Sequence, residues 1–141
     1  MEKNNTISFK IPQTLSQIDD ARKKILNYLL KNKINIECIS QIELVVYEVL
    51  VNVIEHGEKK YKDEEIKLTC KINSKNIEVI IQSIGSMFDI TKSQLPDIEE
   101  HVKSGVNHGL GIYMIRTLMN SIEYSFNDKI SENKIVMIKN L

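Results

Sequence analysis

SQIELVVYEVLVNVIEHG, residues 40–57, holds the longest near-apolar run of the chain and decides what kind of core it can build. Ser40 with Glu43 three positions on forms a capping box, and Gly57 offers a C-terminal stop, so the spacing predicts a helix from Ser40 to His56. Ile42, Leu44, Val45, Val46, Val49, Leu50, Val51, Val53 and Ile54 cover most of its circumference, which calls for heavy burial. Glu48 and Asn52 interrupt that surface. Four residues apart, they stack on one face, and His56 continues roughly along the same line.

A carboxylate buried beside an amide costs on the order of several kcal/mol unless something pairs with them. Two readings stand about even. In one, Asn52 offers its amide oxygen to a hard cation such as Mg2+, and Glu48 holds a water or polarises a hydroxyl in the same cavity. In the other, Glu48 pairs with a distant lysine or arginine, and Asn52 makes an ordinary interhelical hydrogen bond. His56 reads better as a helix-end histidine favoured by the C-terminal dipole than as a catalytic group.

Outward from this helix, residues 5–11 alternate, with Ile7, Phe9 and Ile11 on one side of a short strand ended by Pro12. A first helix follows, capped by Thr14 or Ser16 with Gln17 or Asp19 three places on. Its inner stripe is Ile18, Ala21, Ile25, Leu26 and Leu29, and it ends near Lys33. Beyond Gly57, the charged segment Glu58 to Glu65 reads as a solvated loop. Ile66, Leu68, Cys70 and Ile72, the turn NSKN, and Ile77, Val79 and Ile81 then give an antiparallel hairpin. A long irregular stretch from Gly85 to His108 has the length of a lid or of disorder. A helix from Leu110 to about Asn120 and a final hairpin, Ile122, Tyr124, Phe126 and Ile135 to Ile138 around NDKISEN, complete the order β-α-α-β-β-(lid)-α-β-β. It assembles as an α/β (α+β) two-layer sandwich, with a mixed, mostly antiparallel sheet and helices on one face.

Gly105, Gly109 and Gly111 precede or open the last helix, where free backbone N–H groups and the positive dipole end could meet an anion. Taken alone, the spacing fits a tightly packed loop slightly better. It is not a Walker loop, since no Gly-Lys-Ser/Thr follows, and not a dinucleotide fingerprint, since no strand precedes it. Period two puts Ser83 on the inward face with Ile77, Val79 and Ile81, either at the mouth of a cavity or simply at a strand end. Phe88 could pin the start of the lid, and Asp89 could equally cap a turn.

The 141 residues suit one domain, 1–141, large enough for a core without metal or disulfide staples. Lys plus Arg and Asp plus Glu are both 19, so no net field draws the chain to nucleic acid or an anionic membrane. MEKNNTISFK has no signal-like apolar stretch, and the expected location is cytoplasmic. Cys38 and Cys70 are read as reduced spectators.

Three motifs in order, Glu48-x-x-x-Asn52 with Glu55-His56-Gly57, Ser83-x-Gly85-x-x-Phe88-Asp89, and Gly105-x-x-x-Gly109-Leu110-Gly111-Ile112 with Met119-Asn120 beyond, resemble the histidine-kinase-like ATPase superfamily. The particular likeness is to its bacterial anti-sigma branch, serine-protein kinases that switch sigma factors, and it spans roughly residues 7–139. The resemblance implies a Bergerat-type fold with an ATP-Mg2+ site and an ATP-lid at about 86–109. Asn52 is similar to the family's Mg2+ ligand and Glu48 to the base that activates a target serine. Gly85 is similar to the glycine near adenine, and Gly105, His108, Gly109, Leu110 and Gly111 to the lid residues around the phosphates. The implied partners are a sigma factor and a small anti-anti-sigma factor that accepts the phosphate, with a homodimer as the assembly.

Two positions depart from the family pattern. Ser83 stands where the family has an aspartate that accepts the adenine amino group, and a neutral serine is a weaker acceptor. The last strand, Lys134-Ile135-Val136-Met137, lacks a threonine the family often has just before it; Lys134 either reaches a phosphate or is a solvated edge lysine. The expected function is an ATP-dependent protein serine kinase and anti-sigma factor. The alternative, supported by Ser83, is a partner-binding switch with weak or absent catalysis.

Overall fold

Alternating apolar residues at Ile7, Phe9 and Ile11 form β1, Asn5–Ile11, at one edge of a five-stranded sheet in the computed structural model, which describes residues 5–92 and 111–141. The other described elements are α1 (Ile18–Lys31), α2 (Ile36–Glu55), β2 (Ile66–Ile72), β3 (Asn76–Ile84), α3 (Gly111–Leu118), β4 (Ser121–Asn127) and β5 (Glu132–Asn140). The spatial order is β1-β2-β3-β5-β4, and every pairing is antiparallel. The two-layer sandwich expected from the sequence is therefore present, with a sheet antiparallel throughout its described strands. Residues 93–109 of the expected lid lie outside the described residues.

Register explains where the core sits. One row across the sheet runs Phe9, Leu68, Ile81, Ile135, Tyr124, and the next runs Ile7, Cys70, Val79, Met137, Ile122. Because side chains alternate with period two, these rows all face the helices. Against them lie Ile18, Ala21, Ile25 and Leu29 of α1 and Ile39, Ile42, Val46, Val49 and Leu50 of α2, all buried. Lys139 reaches from the same face to cap α3, its Nζ donating to the Leu118 carbonyl at 2.6 Å.

Both helix starts differ from the expectation. A 3-10 turn, Leu15–Gln17, precedes α1, and the hydroxyls of Thr14 and Ser16 bond each other at 3.3 Å instead of capping the helix. At α2 the cap is Asn35, whose Oδ1 accepts from the Cys38 backbone N–H at 2.8 Å, while the Ser40 hydroxyl donates back to the Ile36 carbonyl. Starting four residues earlier brings Ile39 and Cys38 into the core, and that burial outweighs a local capping box. The helix is also less enclosed than its composition suggests, since Leu44 and Tyr47 each remain 38% exposed on the side away from the sheet. α1 ends with Lys33 in the left-handed region, φ 61°, and the Ile34 N–H returns to the Leu29 carbonyl.

Cys38 and Cys70 are both free and buried. Burial pushes the Cys70 thiol from 9.0 up to about 12, and burial, reinforced by Cys70, pushes the Tyr28 phenol from 10.0 to about 12. The folded state thus keeps protons that the unfolded chain loses first, so stability falls as pH rises through this interval. Urea midpoints are expected to fall steadily between pH 9 and 12, and Cys70→Ala should flatten the first part of that decline.

Candidate functional site

At the end of the sheet the register pairs Ser83 of β3 with Asn133 of β5, one row beyond Ile81 and Ile135. Both face the helices and both are 7% exposed. The last turns of α2 cross this end of the sheet, so Asn52, Val53, His56, Ser83, Gly85 and Asn133 line one cavity, closed further by Gln13 and Phe88. Gly57 is used for close approach: a Cβ there would stand 3.1 Å from the Gln13 Oε1 and 3.3 Å from two carbonyls of α2. Gln13 Nε2 donates to the Tyr61 carbonyl and so ties the segment after β1 to the loop after α2.

Asn133 is the hub of the cavity floor. Its Oδ1 accepts from the Phe88 backbone N–H at 3.0 Å and from the Tyr124 hydroxyl, and its Nδ2 donates to the Ser86 carbonyl at 3.1 Å. The chain leaving β3 is thereby pinned to β5. Phe88 lies over the end of α2 with its ring stacked on His56, centroids 4.3 Å apart. Phe88 therefore anchors the start of the segment beyond β3, Asp89 caps the short turn Ile90–Lys92 through the Thr91 N–H, and His56 makes an aromatic contact at a helix end.

Glu48 and Asn52 share one face of α2 as expected, but both are half-buried. Among the described residues no basic side chain forms an ion pair with Glu48, and Asn52 bonds within its own helix, Nδ2 donating to the Glu48 carbonyl at 2.9 Å. Among the described residues that geometry leaves the Asn52 Oδ1 without a donor. Burial, and secondarily the charge of Glu55, raise the pKa of the Glu48 carboxyl. Gly111, the first residue of α3, abuts this pair: a Cβ on it would stand 3.0 Å from the Glu48 Oε2 and 3.2 Å from the Asn52 Nδ2. Glu48 can yield at its flexible end, so Gly111→Ala is expected to displace its carboxylate at a stability cost of only about 1 kcal/mol or less. Any reaction relying on Glu48 should lose more than tenfold in kcat, with the melting temperature as control.

Of the residues expected at the site, Asn52, Ser83 and Gly85 line the cavity, with Glu48 one turn back along α2 and Gly111 facing both members of the pair. Gly105, His108, Gly109 and Leu110 lie outside the described residues. Lys134 is neither an edge lysine nor near the cavity, because β5 is an interior strand and Lys134 lies on the sheet face opposite Asn133 and Ile135. Sequence reading missed Asn133, although it sits two residues before Ile135 on the inward face and was detectable by extending that alternation one step. Gln13 carried no such signal.

The histidine kinase-like ATPase domain model matches residues 11–139. The chain belongs to that family. This ATPase-family chain is 24% identical over 140 residues to the serine-protein kinase RsbW of Listeria monocytogenes, covering 96% of its own length and 87% of the relative's. It is 25% identical over 126 residues to the serine-protein kinase RsbW of Bacillus subtilis, covering 85% and 79%. A chain of the SiaB-SiaC complex from Pseudomonas aeruginosa shares the fold with a TM-score of 0.70 at 14% identity, covering 94% of this chain and 88% of that one. Among the described residues no helix is long and apolar enough to cross a membrane, and no group of three or more His, Cys, Asp or Glu side chains is arranged to hold a metal.

Proposed function

We propose that this chain is an ATP-dependent protein serine kinase of a partner-switching system, which phosphorylates a small antagonist protein and otherwise holds a sigma factor. The observation that carries this reading is the Glu48–Asn52 pair. Among the described residues no basic group neutralises the carboxyl and nothing bonds the neighbouring amide's oxygen, and burial raises the carboxyl's pKa. Asn52 Oδ1 suits a hard cation. Mg2+ held there would offset charge on the transferring phosphate. Glu48 would take the proton from the acceptor serine as its oxygen bonds to the γ-phosphorus and the bond to the β-phosphate oxygen breaks, releasing ADP. The absence of a Cβ at Gly111 leaves the start of α3 close to this pair, on the side from which phosphate oxygens would approach.

The test is transfer of labelled γ-phosphate from Mg-ATP to a serine of a candidate antagonist. Label on serine supports the kinase reading. Its absence together with tight partner binding supports the second reading, a switch module with weak catalysis. Ser83 is the observation behind that second reading, because a hydroxyl lines the cavity where a carboxylate would hold an amino group more firmly.

A further inference from the structure

We propose that the cavity reads the 6-position of its purine through the Ser83 hydroxyl, and so takes 6-oxo purine nucleoside triphosphates as readily as 6-amino ones. The inference rests on the nucleotide-site reading above and assigns the specificity of that same site.

The argument begins with which polar atoms of the floor are already spent. Asn133 looks like a base reader but is not free to be one. Its Oδ1 accepts from the Phe88 N–H and the Tyr124 hydroxyl, and its Nδ2 donates to the Ser86 carbonyl, with the Gly85 carbonyl at 3.5 Å. Gln13 gives its Nε2 to the Tyr61 carbonyl. Ser83, paired with Asn133 in register and 7% exposed, makes no side-chain hydrogen bond among the described residues. Around it the cavity wall combines the apolar Val53, Ile90 and Ile135 with polar groups at its edge, His56 and Glu58 among them, a mixture that a base-binding site uses. Asn52 and Gly111, which suit the cation and phosphates, meet on the face of α2, so a base on the sheet end and phosphates on the helix end occupy different polar groups.

A hydroxyl is both donor and acceptor and rotates to suit, whereas an ionised carboxylate only accepts. Facing a 6-amino group, a carboxylate makes a charge-assisted bond; facing a 6-oxo group it sets acceptor against acceptor. Ser83 escapes both outcomes. It accepts from the amine of adenine, or donates to the carbonyl of hypoxanthine, with bonds of similar strength.

The experiment is calorimetric titration of the full chain with ATP and with ITP in Mg2+, repeated on Ser83→Asp and Ser83→Ala. Wild type is expected to bind the two within about threefold. Ser83→Asp should bind ATP more tightly and ITP more weakly, separating them by about 10–100-fold, the span of one charge-assisted hydrogen bond. Ser83→Ala should weaken both by a similar factor. A wild-type preference for ATP of tenfold or more overturns the proposal, since another group must then read the base. Binding by Ser83→Asp but not by wild type also overturns it while leaving the nucleotide site intact. Failure of every variant to bind either nucleotide overturns the site reading itself, and this inference with it.

Discussion

Glu48→Gln is expected to lower phosphate transfer by about 10²–10⁴-fold, the range typical of a lost general base, with nucleotide affinity and partner binding nearly unchanged. The substitution keeps size and hydrogen-bonding shape. It also removes a carboxyl that burial already disfavours, so stability should hold or rise slightly. Burial is the larger cause of the raised Glu48 pKa and the Glu55 charge the smaller. A base works only when deprotonated, so activity should fall on the acid side through that raised value. Glu55→Gln removes the smaller cause, lowers the Glu48 pKa, and should move the acid limb of the kcat profile to lower pH while leaving its plateau in place. If Glu48→Gln retained most of its turnover, Glu48 would not be the base; an acid limb unmoved by Glu55→Gln would mean that burial by itself raises the Glu48 pKa. Single-turnover transfer measured across pH with the melting temperature as control makes both comparisons.

Asn133→Ala should cost about 2–4 kcal/mol of stability, a large effect for one polar side chain. The amide joins three elements of the site: β5 itself, the segment beyond β3 through the Phe88 N–H and Ser86 carbonyl, and β4 through the Tyr124 hydroxyl. Truncation leaves the Ser86 carbonyl and the Tyr124 proton without their partner in a part-buried place, while the Phe88 N–H keeps only the Tyr124 hydroxyl at 3.1 Å, and each group left unmatched costs about 1–3 kcal/mol before water enters. Phe88 loses one of the two acceptors that hold its N–H, loosening the ring stacked on His56, so nucleotide affinity should also fall at least tenfold. Asn133→Asp keeps the acceptor and loses both donors, so it should fall between wild type and alanine. Urea midpoints rank the three, and a loss below about 1 kcal/mol for alanine would mean that water replaces the amide without penalty.

The sequence determined the order of elements because periodicity is local. Alternation at Ile66 to Ile72 and Ile77 to Ile81, and the apolar density of residues 42–54, admit few other assignments, and a two-layer arrangement is what such faces can bury. It also put Glu48 and Asn52 on one face of α2 and Ser83 on the inward face of β3, since four-residue and two-residue spacings fix direction without tertiary knowledge. Helix starts were not legible in the same way. Ser40 and Glu43 form a sound local cap, yet Asn35 wins because moving the start back buries Ile39 and Cys38 against a sheet that local spacing cannot describe.

Only the tertiary structure decided what each polar group is free to do. Spacing could leave Glu48 with or without a basic partner; packing brings none among the described residues and sets Gly111 against it instead. Lys134 could have been an edge residue until strand order put β5 between β3 and β4 and turned that side chain away from the helices. Asn133 and Ser83, fifty residues apart in the chain, became neighbours only through register, and one is fully engaged while the other is not. Hydrogen-bond commitment is a property of three-dimensional neighbours, and the sequence alone fixes the donors and acceptors but not which of them meet.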